Sequence, residues 1–78
     1  MSKVEVLRSF EVTGYRIAYY LLKDEELAAK SATDALLELY ENDDFFVQPC
    51  ELQQQTARKM FIRKSIDCIK VTLSRSVV

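Results

Sequence analysis

Apolar residues recur along this chain at intervals of three and four, the spacing of one face of an α-helix. The pattern is clearest over residues 24–41, where Ala28, Ala32, Ala35 and Leu39 line one side. At 100° per residue, Lys30, Thr33, Asp34, Leu37 and Glu41 lie opposite them. Asp24 stands at the N-cap, and Glu25 and Glu26 fill the first turn, where negative charge suits the helix dipole. Leu37 therefore points away from the apolar stripe. Two readings of it stay open: a singly exposed leucine of a small bundle, or the centre of a docking patch flanked by Thr33, Asp34, Tyr40 and Glu41.

The first segment is ambiguous at its start. Lys3, Val4, Glu5 and Val6 alternate like a strand, but Val4, Leu7, Phe10 and Val12 also fit a helix, and a lone strand would have no partner. One helix is expected over roughly residues 4–22, carrying Phe10, Tyr15, Ile17, Ala18, Leu21 and Leu22 on its apolar side. Gly14 inside it costs about 1 kcal/mol relative to Ala, and permits a bend or a close helix contact. Lys23 and Asp24 form a short turn, so the first and second helices should be antiparallel neighbours.

Residues 41–48, ENDDFFVQ, end the second helix. Phe45 and Phe46 then need cover or a ligand, and anchoring in the core is the plainer reading for at least one of them. Pro49 suits the N1 position of a third helix, or the position before it, and that helix is expected over residues 49–74. It has two apolar stripes. Ile62, Ile66, Ile69 and Leu73 form one; Ala57, Met60, Phe61, Cys68 and Val71 form the other. Lys59, Arg63 and Lys70 share a basic edge between them, interrupted by Asp67. Such a helix must be covered on two sides, by the other helices or by a second copy of the chain. Residues 74–78 are expected to fray. These elements predict an all-α fold: a small three-helix bundle forming one domain over residues 1–78, with helices at 4–22, 24–41 and 49–74.

Composition agrees with this. The 78 residues are 49% hydrophobic and 29% charged, with one Gly and one Pro, which suits long uninterrupted helices in a folded chain. There is no apolar run of membrane-spanning length, and the first ten residues lack a secretory signal layout, so a cytoplasmic protein is expected. Cys50 and Cys68 lie 18 positions apart without any histidine, which is no zinc spacing; buried free thiols are expected rather than a disulfide. The net charge of −1 hides an asymmetry. Residues 1–50 carry five Lys/Arg against ten Asp/Glu, and residues 51–78 carry six against two. The halves can pair with each other or face different partners.

No catalytic constellation emerges. Histidine is absent, glycine is too scarce for a phosphate-cradling loop, and the Glu-x-x-His motifs of dimetal bundles are missing. The acidic pairs Glu25-Glu26 and Asp43-Asp44 read as helix caps or solvated faces. The chain is not expected to be an enzyme or to need a metal or cofactor.

The stretch 21–40, LLKDEELAAKSATDALLELY, resembles region 2 of bacterial RNA polymerase sigma factors, particularly the short extracytoplasmic-function type. That family has a Leu-Leu helix end, a short Asp-containing turn and an Ala-rich helix leading to a Trp or Tyr. Leu21-Leu22, Asp24-Glu25-Glu26, Ala28, Thr33-Asp34, Leu36-Leu37, Leu39 and Tyr40 fall in those places without a gap. Lys30, Ser31 and Thr33 depart from it, standing where the family favours an acid, Ala and Gln.

The resemblance extends over roughly residues 8–73. It implies a domain that docks on the clamp helices of the polymerase β′ subunit through Thr33, Asp34, Leu37, Tyr40 and Glu41. It further implies single-stranded promoter DNA at Phe45, Phe46, Lys59, Arg63 and Lys70, although Asp43 and Asp44 disfavour a polyanion there. With no second domain for the minus-thirty-five element, the expected role is that of a partial sigma factor or a regulator of initiation. The competing expectation is a helical homodimer, unrelated to transcription, that buries the second stripe of the last helix.

Overall fold

The computed structural model describes residues 2–76, with side-chain surroundings described over 2–71. Among the described residues there are helices and no strand: α1 (Lys3–Arg8), α2 (Glu11–Leu22), α3 (Glu25–Glu41), α4 (Asp43–Val47) and α5 (Cys50–Ser76). The three long helices α2, α3 and α5 pack against one another, and the short α1 and α4 close one end.

The expected first helix is two helices. Ser9 Oγ donates to the Val6 carbonyl, and the Ser9 N–H is shared between the Glu5 and Val6 carbonyls, so the last turn of α1 tightens and ends. Phe10 then turns inward, its ring 5.9 Å from that of Phe45. The chain gives up helical continuity at this point to seat an aromatic anchor. At the other end of α2, Lys23 adopts the left-handed conformation (φ 56°) and its N–H caps the Tyr19 carbonyl. Asp24 caps α3 as expected, its carboxylate accepting from the Leu27 N–H at 2.9 Å.

The core forms where α3 presents its small residues. Ala28, Ala32, Ala35 and Leu39 are buried, together with Ala18 of α2, Phe45 of α4, and Ala57 and Phe61 of α5. Alanines let the helix backbones approach closely, and the large side chains fill what remains. Burying Leu39, Phe45 and Phe61 stabilises the fold by about 1.5–3 kcal/mol each. Gly14 serves the close-contact role: a Cβ placed there would lie 2.3 Å from the Phe61 ring. Ser65 is fully buried, but its hydroxyl donates to the Phe61 carbonyl at 2.8 Å, so no polar group is stranded.

The last helix corrects the expected phase. Both apolar stripes are expected to be covered, but Ile62 and Ile66 are 40% and 42% exposed, and Ile69 is half-buried. The buried face is centred instead on Ala57, Phe61 and Ser65, with Met60 and Cys68 at its margin and Val71 outside it. The slot over Gly14 accepts one flat ring, so α5 rotates Phe61 into it and the isoleucines outward. Fraying is expected over residues 74–78, but α5 continues through Ser76; Val77, Val78 and the side chain of Leu73 lie outside the described residues. Pro49 precedes α5, and its carbonyl accepts the Gln53 N–H at 2.9 Å. Cys50 is exposed rather than buried, Cys68 is half-buried, and no disulfide joins them.

Candidate interaction surface

The side of α3 opposite the alanines carries Thr33, Asp34, Leu37, Tyr40 and Glu41, and all five are exposed. Leu37 is 59% exposed and Tyr40 47%. The helical phase that buries Ala28, Ala32, Ala35 and Leu39 forces this result, since one rigid helix cannot present both sets to the core. The face therefore has an apolar centre with carboxylates at its edges. On the side of α3 toward α5, Glu38 accepts from Lys64 Nζ at 2.8 Å. That hydrogen bond holds the Lys64 ammonium above its ordinary pKa, and the fields of Glu38, Asp67 and Asp34 add to it.

One contact here has no sequence signature. Lys3 of α1 reaches Asp43 at 2.7 Å, and its ammonium lies 5.4 Å from the Tyr40 ring centroid and 5.2 Å from that of Phe46. The hydrogen bond with Asp43 raises the Lys3 pKa and lowers that of Asp43. Forty positions separate the pair, so nothing in local spacing announces it. The contact ties α1, which has no buried residue of its own, to the end of α3 that carries Tyr40.

Phe45 and Phe46 have different surroundings. Phe45 is fully buried, edge-on to Phe46 with centroids 5.1 Å apart, and its carbonyl accepts from Gln53 Nε2 at 3.2 Å. Phe45 thus takes the core-anchoring place expected for at least one of the pair, and its ring cannot stack on an unpaired base, the role the resemblance implies, without leaving the core. Phe46 is half-buried beneath Lys3.

Lys59, Arg63 and Lys70 are exposed, and with Ile62, Ile66 and Asp67 they line a shallow groove of about 430 Å³ on α5. The five residues expected at DNA therefore do not share one groove: the aromatic pair packs at the end of the bundle, and the cations line the flank of α5. A second groove, of about 660 Å³, runs between the corner of α1 and α2 and the start of α5, with Phe10 and Ile17 on its apolar wall and Arg16 and Arg58 at its rim. Among the described residues, no group of three or more His, Cys, Asp or Glu side chains is placed to hold a metal ion, and no helix is long and apolar enough to cross a membrane. No protein-family model, curated protein or solved structure matches the chain.

Proposed function

We propose that this chain is a sigma factor region 2-like transcription protein that docks on the clamp helices of the RNA polymerase β′ subunit through the outer face of α3. It would act as a partial sigma factor or as a regulator of initiation. The observation that carries this reading is the exposure of Leu37 at the centre of Thr33, Asp34, Tyr40 and Glu41, on a helix whose opposite face is wholly committed to the core. The stretch that resembles the family supplies that same face. An exposed leucine beside a tyrosine, rimmed by carboxylates, suits a helical partner with apolar and basic groups.

The proposal does not extend to promoter DNA, because Phe45 belongs to the core and the cations stand apart from it. Nor does it extend to the homodimer expected from the second stripe of α5, because Ala57 and Phe61, the centre of that stripe, are buried within one chain.

The test is binding to a fragment carrying the β′ clamp helices. Leu37→Asp should leave stability within about 0.5 kcal/mol, as a surface site does. A central anchor is worth above about 2 kcal/mol, so binding should weaken at least tenfold, a decade being about 1.4 kcal/mol. Equal binding by the wild type and Leu37→Asp, or no binding by either, rejects the proposal.

A further inference from the structure

We infer that the outer face of α5 is a second docking surface, and that its occupant is an amphipathic helix of a partner protein whose apolar seam is flanked by carboxylates. Ile62 and Ile66 stand one turn apart on this face, each about two-fifths exposed. They lie outside the buried face of α5, which is formed by Ala57, Phe61 and Ser65.

Lys59, Arg63 and Lys70 run alongside the isoleucines over about 16 Å of helix, three turns. Asp67 sits four residues after Arg63 and three before Lys70, spacings at which surface pairs form. Even so, among the described residues none of the three cations has a carboxylate within ion-pairing distance. The face is thus an apolar seam with unneutralised positive charge beside it.

Charge alone would admit any polyanion, but the seam decides between them. Single-stranded nucleic acid is held by aromatic platforms and a basic track. This groove is lined by Lys59, Ile62, Arg63, Ile66, Asp67 and Lys70, with no aromatic ring to stack a base and with a carboxylate that repels phosphate. Aliphatic side chains at i and i+4 are instead what a partner helix packs between, and carboxylates flanking that partner's seam would meet the three cations. The inference concerns a different face from that of α3 and stands independently of the polymerase reading.

The experiment uses the full chain and three labelled probes followed by fluorescence anisotropy: a designed helix with a leucine seam flanked by glutamates, the same helix with lysines replacing the glutamates, and an oligothymidylate. The glutamate helix should bind saturably and at least tenfold more tightly than the other two. Both Ile62→Ser/Ile66→Ser and Lys59→Gln/Arg63→Gln/Lys70→Gln should weaken it at least tenfold. Val12→Ser, an exposed apolar residue on α2, should not.

Circular dichroism checks the fold of each variant, and if the isoleucine pair unfolds, the charge variant and the lysine helix still decide. Equal binding of both helices, or no binding of the glutamate helix, overturns the inference. So does preference for the oligothymidylate, which would make the face a nucleic-acid track. Sedimentation of the chain alone as a dimer that Ile62→Ser/Ile66→Ser dissociates would overturn it too, since the occupant would then be a second copy.

Discussion

Gly14→Ala tests the packing that sets the phase of α5. In an exposed helix interior this substitution stabilises by about 1 kcal/mol, because Ala is the better helix former. Here the new Cβ would lie 2.3, 2.4 and 2.8 Å from Phe61 Cε1, Cζ and Cδ1. The ring must retreat by about 1 Å to restore ordinary contact near 3.5 Å. It has nowhere open to go, being 1% exposed. Overpacking a filled core costs about 1–3 kcal/mol. Set against the propensity gain of about 1 kcal/mol, the net should be a loss of up to about 2 kcal/mol, a fall in Tm of up to roughly 15 °C for a domain of this size.

Thermal and urea unfolding followed by circular dichroism measure this directly. Phe61→Leu supplies the second arm of a double-mutant cycle. Shortening the ring should cost clearly less in the Gly14→Ala background than in the wild type, with a favourable coupling near 1 kcal/mol or more. If Gly14→Ala raises stability by about 1 kcal/mol, the ring does not lie over Gly14. Packing of Phe61 on Gly14 would then not be what turns Ile62 and Ile66 outward.

Lys23→Gly should stabilise the fold by a few tenths to about 1 kcal/mol, because a left-handed non-glycine residue is strained by about 1–2 kcal/mol and glycine returns part of that in unfolded-state entropy; chemical denaturation reads it, and a loss would show that the cap is not left-handed. The Lys3 and Asp43 pair sets a pH window for the attachment of α1. Asp43 has a lowered pKa, so its contribution is present above the ordinary carboxylate range near pH 4 and is lost as pH falls through the folded value. Lys3 has a raised pKa, so its contribution is complete below about pH 10 and is lost only as pH rises past the folded value. The ring resonances of Phe46, which has no titrating group of its own, should therefore shift at both extremes in the wild type and lose most of that dependence in Lys3→Met, while the unfolding midpoint barely moves because the pair is open to solvent.

The parts legible in the sequence are those that local spacing determines. The cap at Asp24, the alanine face of α3 and the outward direction of Leu37 follow from residues within a few turns of one another, and the structure places each there. Which stripe of α5 is buried was not legible, because both are apolar. The deciding contact is tertiary: Gly14, 47 positions before Phe61, leaves room for that ring to lie against the backbone of α2. The break between α1 and α2 was hidden for a similar reason. Ser9 is neutral in a helix pattern, and only the burial of Phe10 against Phe45 makes the turn worth its lost helical bonds. The Lys3 contact with Asp43, Tyr40 and Phe46 is likewise tertiary in origin.

The charge asymmetry between the two parts of the sequence also takes its meaning from the fold. A basic segment following an acidic one would neutralise it if the two met along their charged edges. They meet along their apolar faces instead, through Ala32, Ala35, Leu39, Ala57 and Phe61. Among the described residues, Lys64 and Glu38 pair across that junction, while Lys3 pairs with Asp43 within the acidic part. Asp34 and Glu41 therefore remain on the outer face of α3 beside Leu37, and Lys59, Arg63 and Lys70 remain on α5 beside Ile62 and Ile66. Each face joins exposed aliphatic surface to charge of one predominant sign. The two proposed docking faces would therefore call for partners of opposite charge, which a net charge near zero does not disclose.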